Sequence, residues 1–236
     1  MKEMIRKIPI IGFIARNIYR LFNKRKPFPG SEDYWIQRYN SGGNSGVGSY
    51  SKLAKFKAEI INNFVKDNNV TTIIEYGCGD GNQLKLAEYS SYIGYDVSPK
   101  AIALCRDIFQ DDKTKNFKLM TEYRGETAQL TISLDVIYHL IEDDIYYSYM
   151  ERLFNSSEQF VIIYSSNYDE EQKYHEKRRQ FSKWVVINKS QWKMIHHVPN
   201  RFPYNGNNEE GSLADFYIYE KAQCPLSFSK VSTSQD

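Results

Sequence analysis

The chain has 236 residues, with 31 basic and 29 acidic side chains, a hydrophobic fraction of 41% and an aromatic fraction of 15%. This length predicts one large domain, and the apolar content is sufficient for a hydrophobic core. Residues 1–26 contain eight Lys or Arg and one Glu, a net charge of +7, which leaves −5 for the rest of a chain whose total is +2. A mildly acidic body argues against a general nucleic-acid binder, whose folded surface is normally basic.

Residues 1–29 are predicted to be a basic, amphipathic N-terminal segment. Read as a helix, residues 10–24 place apolar side chains on one side and Arg16, Arg20 and Lys24 on another. The apolar run at 8–15 is too short to cross a bilayer, which takes about 20 residues, and no convincing signal-peptide cleavage site follows it. Two interpretations stay open: a helix packed on protein, or an interfacial helix in peripheral contact with the inner face of the membrane through residues 1–26.

The cysteines and histidines show no metal-binding pattern. Cys78, Cys105 and Cys224 are an odd number at no metal or disulfide spacing, so we expect reduced thiols in a cytoplasmic protein and no metal centre. The adjacent His196 and His197 would point to opposite faces of a strand, and we interpret both as structural.

The breaker cluster Lys26-Pro27-Phe28-Pro29-Gly30 marks a domain boundary, so we expect the main domain at 30–222 and a flexible polar tail at 223–236. After a helix predicted at 51–66, seven apolar runs are typical of strands: TTIIEY, SYIGYDV, NFKLM, QLTISLDV, QFVIIYSS, KMIHHV and DFYIYE. Helical stretches such as 99–109 and 142–154 separate the first five, which predicts a parallel sheet covered on both faces. The last two flank a loop without helical periodicity, which predicts an antiparallel hairpin. The predicted fold class is α/β, a Rossmann-like, seven-stranded, mostly parallel sheet with helices on both faces and an antiparallel edge hairpin.

The stretch VTTIIEYGCGDGNQ ends the first predicted strand in a glycine-rich turn. Gly77, Gly79 and Gly81 let a ligand approach the backbone, and we expect a helix to start near Asn82 with its N-terminus facing that ligand. The pattern E-x-G-x-G-x-G differs from the dinucleotide-binding G-x-G-x-x-G. An acid such as Glu75, two residues before the first glycine, is a poor neighbour for pyrophosphate and favours a cationic ligand without phosphate.

The motif resembles that of class I S-adenosylmethionine-dependent methyltransferases, over roughly residues 34–221. Asp96 lies 19 residues after the first glycine, where that family places a carboxylate that accepts both ribose hydroxyls. Asp135 and Val136, in SLDVIYHL, fall where the family often lines the methionine part. The resemblance implies S-adenosylmethionine as cofactor, bound by Glu75, Gly77, Cys78, Gly79, Gly81, Asn82, Asp96, Val97, Asp135 and Val136. A dinucleotide-binding or ligand-free relative is the alternative.

A narrower resemblance rests on four segments, YWIQRYNSGGNSGVGSY, YSSN, HEKRRQF and VPNRFPY. They are similar to segments of small methyltransferases encoded with bacterial surface-polysaccharide genes. We interpret the glycine-rich loop at 42–48 as part of a lid over the cofactor, with Trp35 and Tyr39 as its apolar cover. Simple low complexity is the other account of that loop.

Acceptors in this fold sit over the carboxyl ends of strands four to seven. His139 is a candidate general base, because an imidazole titrates near neutral pH, or it is a structural histidine that packs under the cofactor. His175 is the second catalytic candidate. Arg178 and Arg179 are either an anion clamp for a sugar phosphate or acidic glycan, or a solvated helix face. The remaining candidates either bind sugar hydroxyls or serve as ordinary turn and strand-end residues: Tyr164, Ser165, Asn167 and Arg201.

The predicted function is methyl transfer from S-adenosylmethionine to a hydroxyl of a sugar or sugar-linked intermediate of surface glycan biosynthesis, in the cytoplasm. Expected partners are a small-molecule or glycan-precursor substrate and no nucleic acid. Two alternatives stay open: small-molecule methylation outside glycan metabolism, and a non-catalytic, membrane-tethered scaffold. Glu75 and Asp96 argue against the scaffold, because a protein that no longer binds the cofactor does not need carboxylates to contact its cation and its ribose.

Overall fold

A computed structural model describes residues 27–222, so most of the basic N-terminal segment and the tail at 223–236 lie outside the described residues. The chain begins with helices α1 (Ser31–Asn40) and α2 (Ser51–Asp67). The other elements follow in the order β1 (Thr72–Tyr76), β2 (Ser91–Asp96), α3 (Pro99–Ile108), β3 (Lys115–Leu119), β4 (Ala128–Leu134), α4 (Asp143–Asn155), β5 (Ser157–Ser165), α5 (Phe181–Asn188), β6 (Trp192–Val198) and β7 (Asp215–Lys221).

All seven strands form one sheet in the order β3-β2-β1-β4-β5-β7-β6. Strands β1 to β5 are parallel, while β7 is antiparallel to both β5 and β6 at one edge. The predicted fold class is therefore confirmed. The chain leaves β1 towards β2 on one side and later returns to β4 on the other, so a crevice opens above the carboxyl ends of β1 and β4.

Both faces of the sheet are buried, because neighbouring residues on each central strand enter different hydrophobic clusters. Ile73 and Ile162 pack on one face with Phe56 and Ile61 of α2. On the opposite face, alternate strand residues pack against apolar side chains from α4 and α5: Ile74, Tyr76, Val161 and Ile163 of the strands, with Met150, Leu153, Phe181 and Val185 of the helices. The continuous apolar runs in the strand sequences follow from this two-sided burial.

The prediction of an α-helix directly after the glycine-rich turn is wrong. Asn82 is followed only by a short 3-10 turn, Gln83–Leu86, and the chain is extended again at Ala87. Leu84 and Tyr89 are both buried in the core on the α2 face. The segment has to reach β2 at Ser91 while it buries these two side chains, which leaves no room for regular helical turns.

Helix α3, by contrast, begins at a local start signal in its sequence. The Ser98 side chain accepts a hydrogen bond from the Ala101 backbone N–H (3.3 Å), and Pro99 occupies the first helical position. A serine cap followed by proline is a favourable helix start. This start fixes the residues directly after β2, and with them the position of Asp96.

Candidate cofactor site and its lid

The glycine-rich turn after β1 depends on glycine for both conformation and space. Gly77, Gly79 and Gly81 have φ values of +84°, +61° and +76°, which side chains disfavour. A Cβ atom on Gly77 would stand 2.5 Å from Val136 Cγ2, and one on Gly79 would overlap the Ser45 hydroxyl. The turn is therefore packed closely against the loop after β4 and against the segment that covers the site.

Asp96 ends β2 beside this turn and is buried. Its carboxylate accepts hydrogen bonds from the backbone N–H groups of Gly79 (3.0 Å) and Ser98 (2.8 Å). Burial raises the pKa of Asp96 to about 6, although these N–H groups favour the charged form. A carboxylate has about four lone-pair positions, so Asp96 keeps acceptor capacity for hydroxyl donors in the cavity.

Glu75 lies near the end of β1 and is also buried. The Tyr92 hydroxyl donates to Glu75 Oε2 at 2.6 Å. Burial raises the pKa of Glu75 to about 7, and the hydrogen bond from Tyr92 and the charge of Lys57 oppose this rise. The floor of the site thus holds two carboxylates that a positively charged ligand would stabilise in their ionised forms.

Lys57 also lines the site, although no local motif in the sequence marks it. Its side chain is fully buried, and Nζ donates to Asp135 Oδ2 at 2.8 Å. The Tyr138 hydroxyl donates to the other oxygen of Asp135 at 3.0 Å. These two bonds hold Asp135 in a left-handed conformation, with φ at +59°, which costs on the order of 1–3 kcal/mol. The strained residue stands at the end of β4, next to the glycine-rich turn.

Eleven of the predicted site residues line one cavity of about 380 Å³ at the carboxyl edge of the sheet. They are Trp35, Tyr39, Glu75, Gly77, Cys78, Gly79, Asp96, Val97, Asp135, Val136 and His139. Two other predicted cofactor ligands lie outside this lining: Gly81 approaches Cys105 of α3, and the Asn82 amide donates to the Ser49 carbonyl (2.8 Å). The cavity also contains Gln83, whose buried Oε1 has no hydrogen-bond partner among the described residues.

Helix α1 and the loop that follows it form a lid over this cavity. Trp35 and Tyr39, the two residues predicted to form an apolar cover, lie on the face of α1 that lines the cavity. At the start of α1, Ser31 donates its backbone N–H to Glu142 Oε1 at 3.0 Å. Beyond its end, Ser45 donates its backbone N–H to Asp80 Oδ2 at 2.9 Å. Two carboxylates of the main body therefore anchor the lid.

Asp80, between the second and third glycines, is the more heavily used anchor. Its Oδ2 also accepts from the Tyr50 hydroxyl (2.9 Å), and its backbone N–H donates to Ser45 Oγ (3.0 Å). The same Ser45 hydroxyl lies 2.9 Å from the Tyr39 hydroxyl. Opening the lid requires these bonds to break.

We expect Asp80→Ala to accelerate dissociation of S-adenosylhomocysteine roughly tenfold. Two hydrogen bonds from the lid to the carboxylate would be lost, at roughly 1 kcal/mol each, and part of this loss falls on the barrier to opening. Stopped-flow displacement of S-adenosylhomocysteine measures the rate. Asp107→Ala, at an exposed acid of α3, is the matched control, and equal dissociation rates for the two variants would contradict the anchoring role.

His139 and His175, the two catalytic candidates, are in contact with one another. His139 Nδ1 lies 2.9 Å from the His175 carbonyl oxygen, and because a carbonyl only accepts, Nδ1 carries the proton and Nε2 is left as an acceptor. Burial lowers the pKa of His139 to about 4, below the near-neutral value expected from the sequence. The ring is therefore neutral at physiological pH, and it is a weaker base than a free imidazole. The two rings are nearly parallel, with centroids 5.2 Å apart.

The three arginines predicted to contact substrate are engaged by protein groups. Arg178 forms ion pairs with Glu170 and Glu176, and Arg201 forms a two-pronged, exposed pair with Glu59. Arg179 donates to two carbonyls and to Asp143 and lies over the Tyr146 ring. Each guanidinium already has a carboxylate partner, which favours a structural role for these arginines over an anion clamp.

The candidates after β5 are likewise bound to the protein. The Tyr164 hydroxyl accepts from the Asn200 side chain at 2.6 Å, and Ser165 Oγ donates to the next carbonyl at 3.2 Å. Asn167 exchanges two hydrogen bonds with Ser182 in the first turn of α5. All three have the structural role of strand-end and turn residues, and none of the three lines the cavity.

This sheet order, with a glycine-rich turn after β1 and a buried carboxylate after β2, defines the class I methyltransferase architecture. A family model described as "Methyltransferase domain" matches residues 67–215. The chain belongs to this methyltransferase domain family, and it is an S-adenosylmethionine-dependent enzyme. A search of curated proteins found no match.

Solved structures with the same fold are distant in sequence. The methyltransferase domain of bacterial CtHen1-C is 18% identical, with a TM-score of 0.55 over 71% of this chain and 97% of that chain. Magnesium protoporphyrin IX methyltransferase from Synechocystis PCC 6803 with bound S-adenosylhomocysteine is 12% identical, with a TM-score of 0.59 over 81% and 98%. The N-methyltransferase NodS from Bradyrhizobium japonicum WM9 is 12% identical, with a TM-score of 0.55 over 72% and 88%.

The residues present fit S-adenosylmethionine, which supplies an activated methyl group on a sulfonium when bound. Asp96 has acceptor capacity for ribose hydroxyls, and Glu75 offers negative charge to a cation. The unpartnered Gln83 Oε1 provides a further acceptor in the cavity wall. Trp35 and Tyr39 of the lid shield the cavity from water.

Proposed function

We propose that the protein transfers a methyl group to a hydroxyl of a sugar or sugar-linked intermediate of surface glycan biosynthesis. His139 supports this proposal most directly. It lines the cavity, its ring is neutral, and its bond to the His175 carbonyl leaves Nε2 free to accept a proton. A hydroxyl acceptor must lose its proton as it attacks, and a positioned base accelerates such a step about 10² to 10⁴-fold.

The other residues position the reactants and exclude water. The lid helix covers the cavity with Trp35, whose ring meets His139 edge-on at 5.0 Å. The bond between Lys57 and Asp135 fixes the strained end of β4, opposite the glycine-rich turn. Holding the reacting groups collinear in a dry cavity contributes several kcal/mol to the rate, and rigid walls of this kind serve that purpose.

Small-molecule methylation outside glycan metabolism is the second candidate function. The cavity wall near His139 is aromatic, which also suits a flat, apolar acceptor. One structural neighbour is named as a magnesium protoporphyrin IX methyltransferase. A screen with labelled S-adenosylmethionine against nucleotide sugars, sugar phosphates and flat aromatic acceptors separates the two functions.

We expect His139→Ala to lower turnover of the acceptor found in that screen by about 10² to 10⁴-fold, because the proton acceptor is lost. Affinity for S-adenosylhomocysteine should change little. Asp96→Ala should weaken the affinity for S-adenosylhomocysteine by roughly 1 to 3 kcal/mol, because the hydrogen bonds from the ribose hydroxyls are lost. Steady-state kinetics and calorimetry measure the two quantities, and unchanged turnover in His139→Ala would exclude the base.

We also propose that residues 1–26 bring the enzyme to anionic membranes. The segment carries the net charge of +7 described above, and each basic residue near such a surface contributes about 1 kcal/mol. No helix within residues 27–222 is long and apolar enough to cross a bilayer. We expect sedimentation with phosphatidylglycerol liposomes for the full chain and none after deletion of residues 1–26; equal sedimentation of both would refute the proposal.

A further inference from the structure

A second concavity lies on the outer side of α1, away from the cofactor cavity. Three aromatic rings form it: Phe28 and Tyr34 have centroids 5.9 Å apart, and Tyr174 lies 5.7 Å from Phe28 and 6.1 Å from Tyr34. We call this concavity, of about 620 Å³, the aromatic groove. Gln37, Arg38 and Ser41 form its polar rim, and Pro27 and Pro29 complete the lining.

Tyr174 is held in the groove by a strained backbone. It has φ at +47° and lies in a two-residue turn closed by reciprocal backbone hydrogen bonds between Lys173 and Glu176 (2.7 and 2.9 Å). Glycine and asparagine are the residues that suit this conformation, and a bulky aromatic costs on the order of 1–3 kcal/mol. The ring is 44% exposed, so burial offsets little of that cost.

The turn is braced by the charged run that follows it. Arg178 pairs with Glu170 and Glu176 across the base of the turn. The Lys177 backbone N–H donates to the Tyr138 carbonyl at 2.8 Å, which ties the turn to the loop after β4. Several ion pairs and hydrogen bonds thus stabilise the turn that contains the strained Tyr174.

Stacked rings connect the groove to the cofactor cavity. Tyr34 stacks on His175 with centroids 4.7 Å apart and planes at 16°. His175 in turn stacks on His139, which lines the cavity. One ring, that of His175, therefore lies between a wall of the aromatic groove and a wall of the cofactor cavity.

We propose that the aromatic groove binds a sugar unit of the acceptor that is not the unit methylated; this rests on the proposed glycan function. Pyranose rings present apolar C–H faces that pack on aromatic rings, and their hydroxyls match the exposed side chains of Gln37 and Ser41 on the rim. The residues that line the groove include no acid, and Arg38 donates to the Asn44 carbonyl (2.7 Å). The proposed occupant is a neutral saccharide, whose C–H faces suit the aromatic wall and whose hydroxyls suit the polar rim, in an acceptor of at least two units.

The test uses the full chain saturated with S-adenosylhomocysteine. Saturation-transfer NMR measures binding of monosaccharides and disaccharides of glucose, galactose, mannose, rhamnose and N-acetylglucosamine. We expect binding of at least one disaccharide, roughly tenfold weaker in Tyr174→Gly and retained in Tyr174→Phe. Tyr147→Ala removes a tyrosine of α4 that is 48% exposed and is the matched control, with unchanged binding.

Thermal unfolding distinguishes a loss of saccharide binding from a loss of folding in the Tyr174 variants. Glycine relieves the backbone strain at this position while the ring contacts are lost, so Tyr174→Gly should unfold cooperatively at a temperature close to that of the wild type and bind saccharide more weakly. Equal saccharide affinity in Tyr174→Gly, or no binding of any of these sugars to the wild type, would overturn the proposal. If the enzyme methylates a disaccharide at the same rate with and without Tyr174→Gly, the glycan function stands and only the groove proposal is rejected. If it methylates non-saccharide acceptors alone, both proposals are rejected.

Discussion

Replacing Lys57 with methionine is expected to lower the free energy of unfolding by about 3 to 5 kcal/mol. Lys57 is fully buried, and Asp135 is 17% exposed on its side chain. Removing one partner of a buried ion pair leaves the other charge without compensation, which costs about this amount. Asp135 would also lose one of the two side-chain bonds that hold its left-handed backbone, and Glu75 would lose the nearby positive charge that opposes the rise of its pKa.

Urea denaturation measures this loss, with Lys55→Met as the matched control. Lys55 lies on the same helix but is exposed, so its replacement should change stability by less than about 0.5 kcal/mol. The double variant Lys57→Met/Asp135→Asn should recover part of the loss, because it removes both charges and asparagine tolerates φ > 0. A loss below about 1 kcal/mol in Lys57→Met would contradict a structural role for the pair.

The sheet could be predicted from the sequence because its strands are buried on both faces. Runs such as QFVIIYSS are continuous and apolar, and this pattern has few other interpretations once helical stretches separate the runs. The segment after the glycine-rich turn could not be predicted in the same way. Its short 3-10 turn is set by the distance to β2 and by the burial of Leu84 and Tyr89, which are tertiary constraints.

The site was predictable where the sequence has a local signature and hidden where the contacts are long-range. The glycine-rich turn and Asp96 are recognisable from their spacing alone. Lys57, however, lies midway between Leu53 and Ile61, each four residues away, and therefore on the apolar side of its helix. A charge within the apolar stripe of a helix indicates a buried partner, and this signal could have identified it.

The charged run HEKRRQF shows the opposite limitation. Its composition fits an anion clamp, a solvated helix face or a structural brace, and the sequence does not distinguish these uses. The acids that decide between them, Glu170 and Asp143, both precede the run in the sequence, and Asp143 lies in α4. Pairing between a loop and α4 is a consequence of the fold, so only the structure assigns these arginines to bracing.

Affinity for S-adenosylmethionine is expected to rise about tenfold per pH unit between pH 6 and pH 7, to rise more steeply below pH 6, and to level off above pH 7. The pKa of Glu75 is about 7 because the residue is buried, so the group is protonated at low pH. A cation in the cavity favours the ionised carboxylate, and binding below pH 7 must therefore release a proton. Asp96, with a pKa of about 6, acts in the same direction over the lower part of this range.

The same two groups fix the sign of the effect on stability. Both pKa values are raised above those of the unfolded chain, so between about pH 4 and pH 7 these two groups bind more protons in the folded state, and their contribution to stability without ligand falls as the pH rises. Calorimetry of S-adenosylmethionine binding in buffers of different ionisation enthalpy counts the proton released. Glu75→Gln should bind with no proton release near pH 7, while Glu88→Gln, at an exposed acid, should behave as the wild type. An affinity that stays flat from pH 5 to pH 8 would mean that Glu75 is already ionised in the free enzyme and that burial does not control its charge.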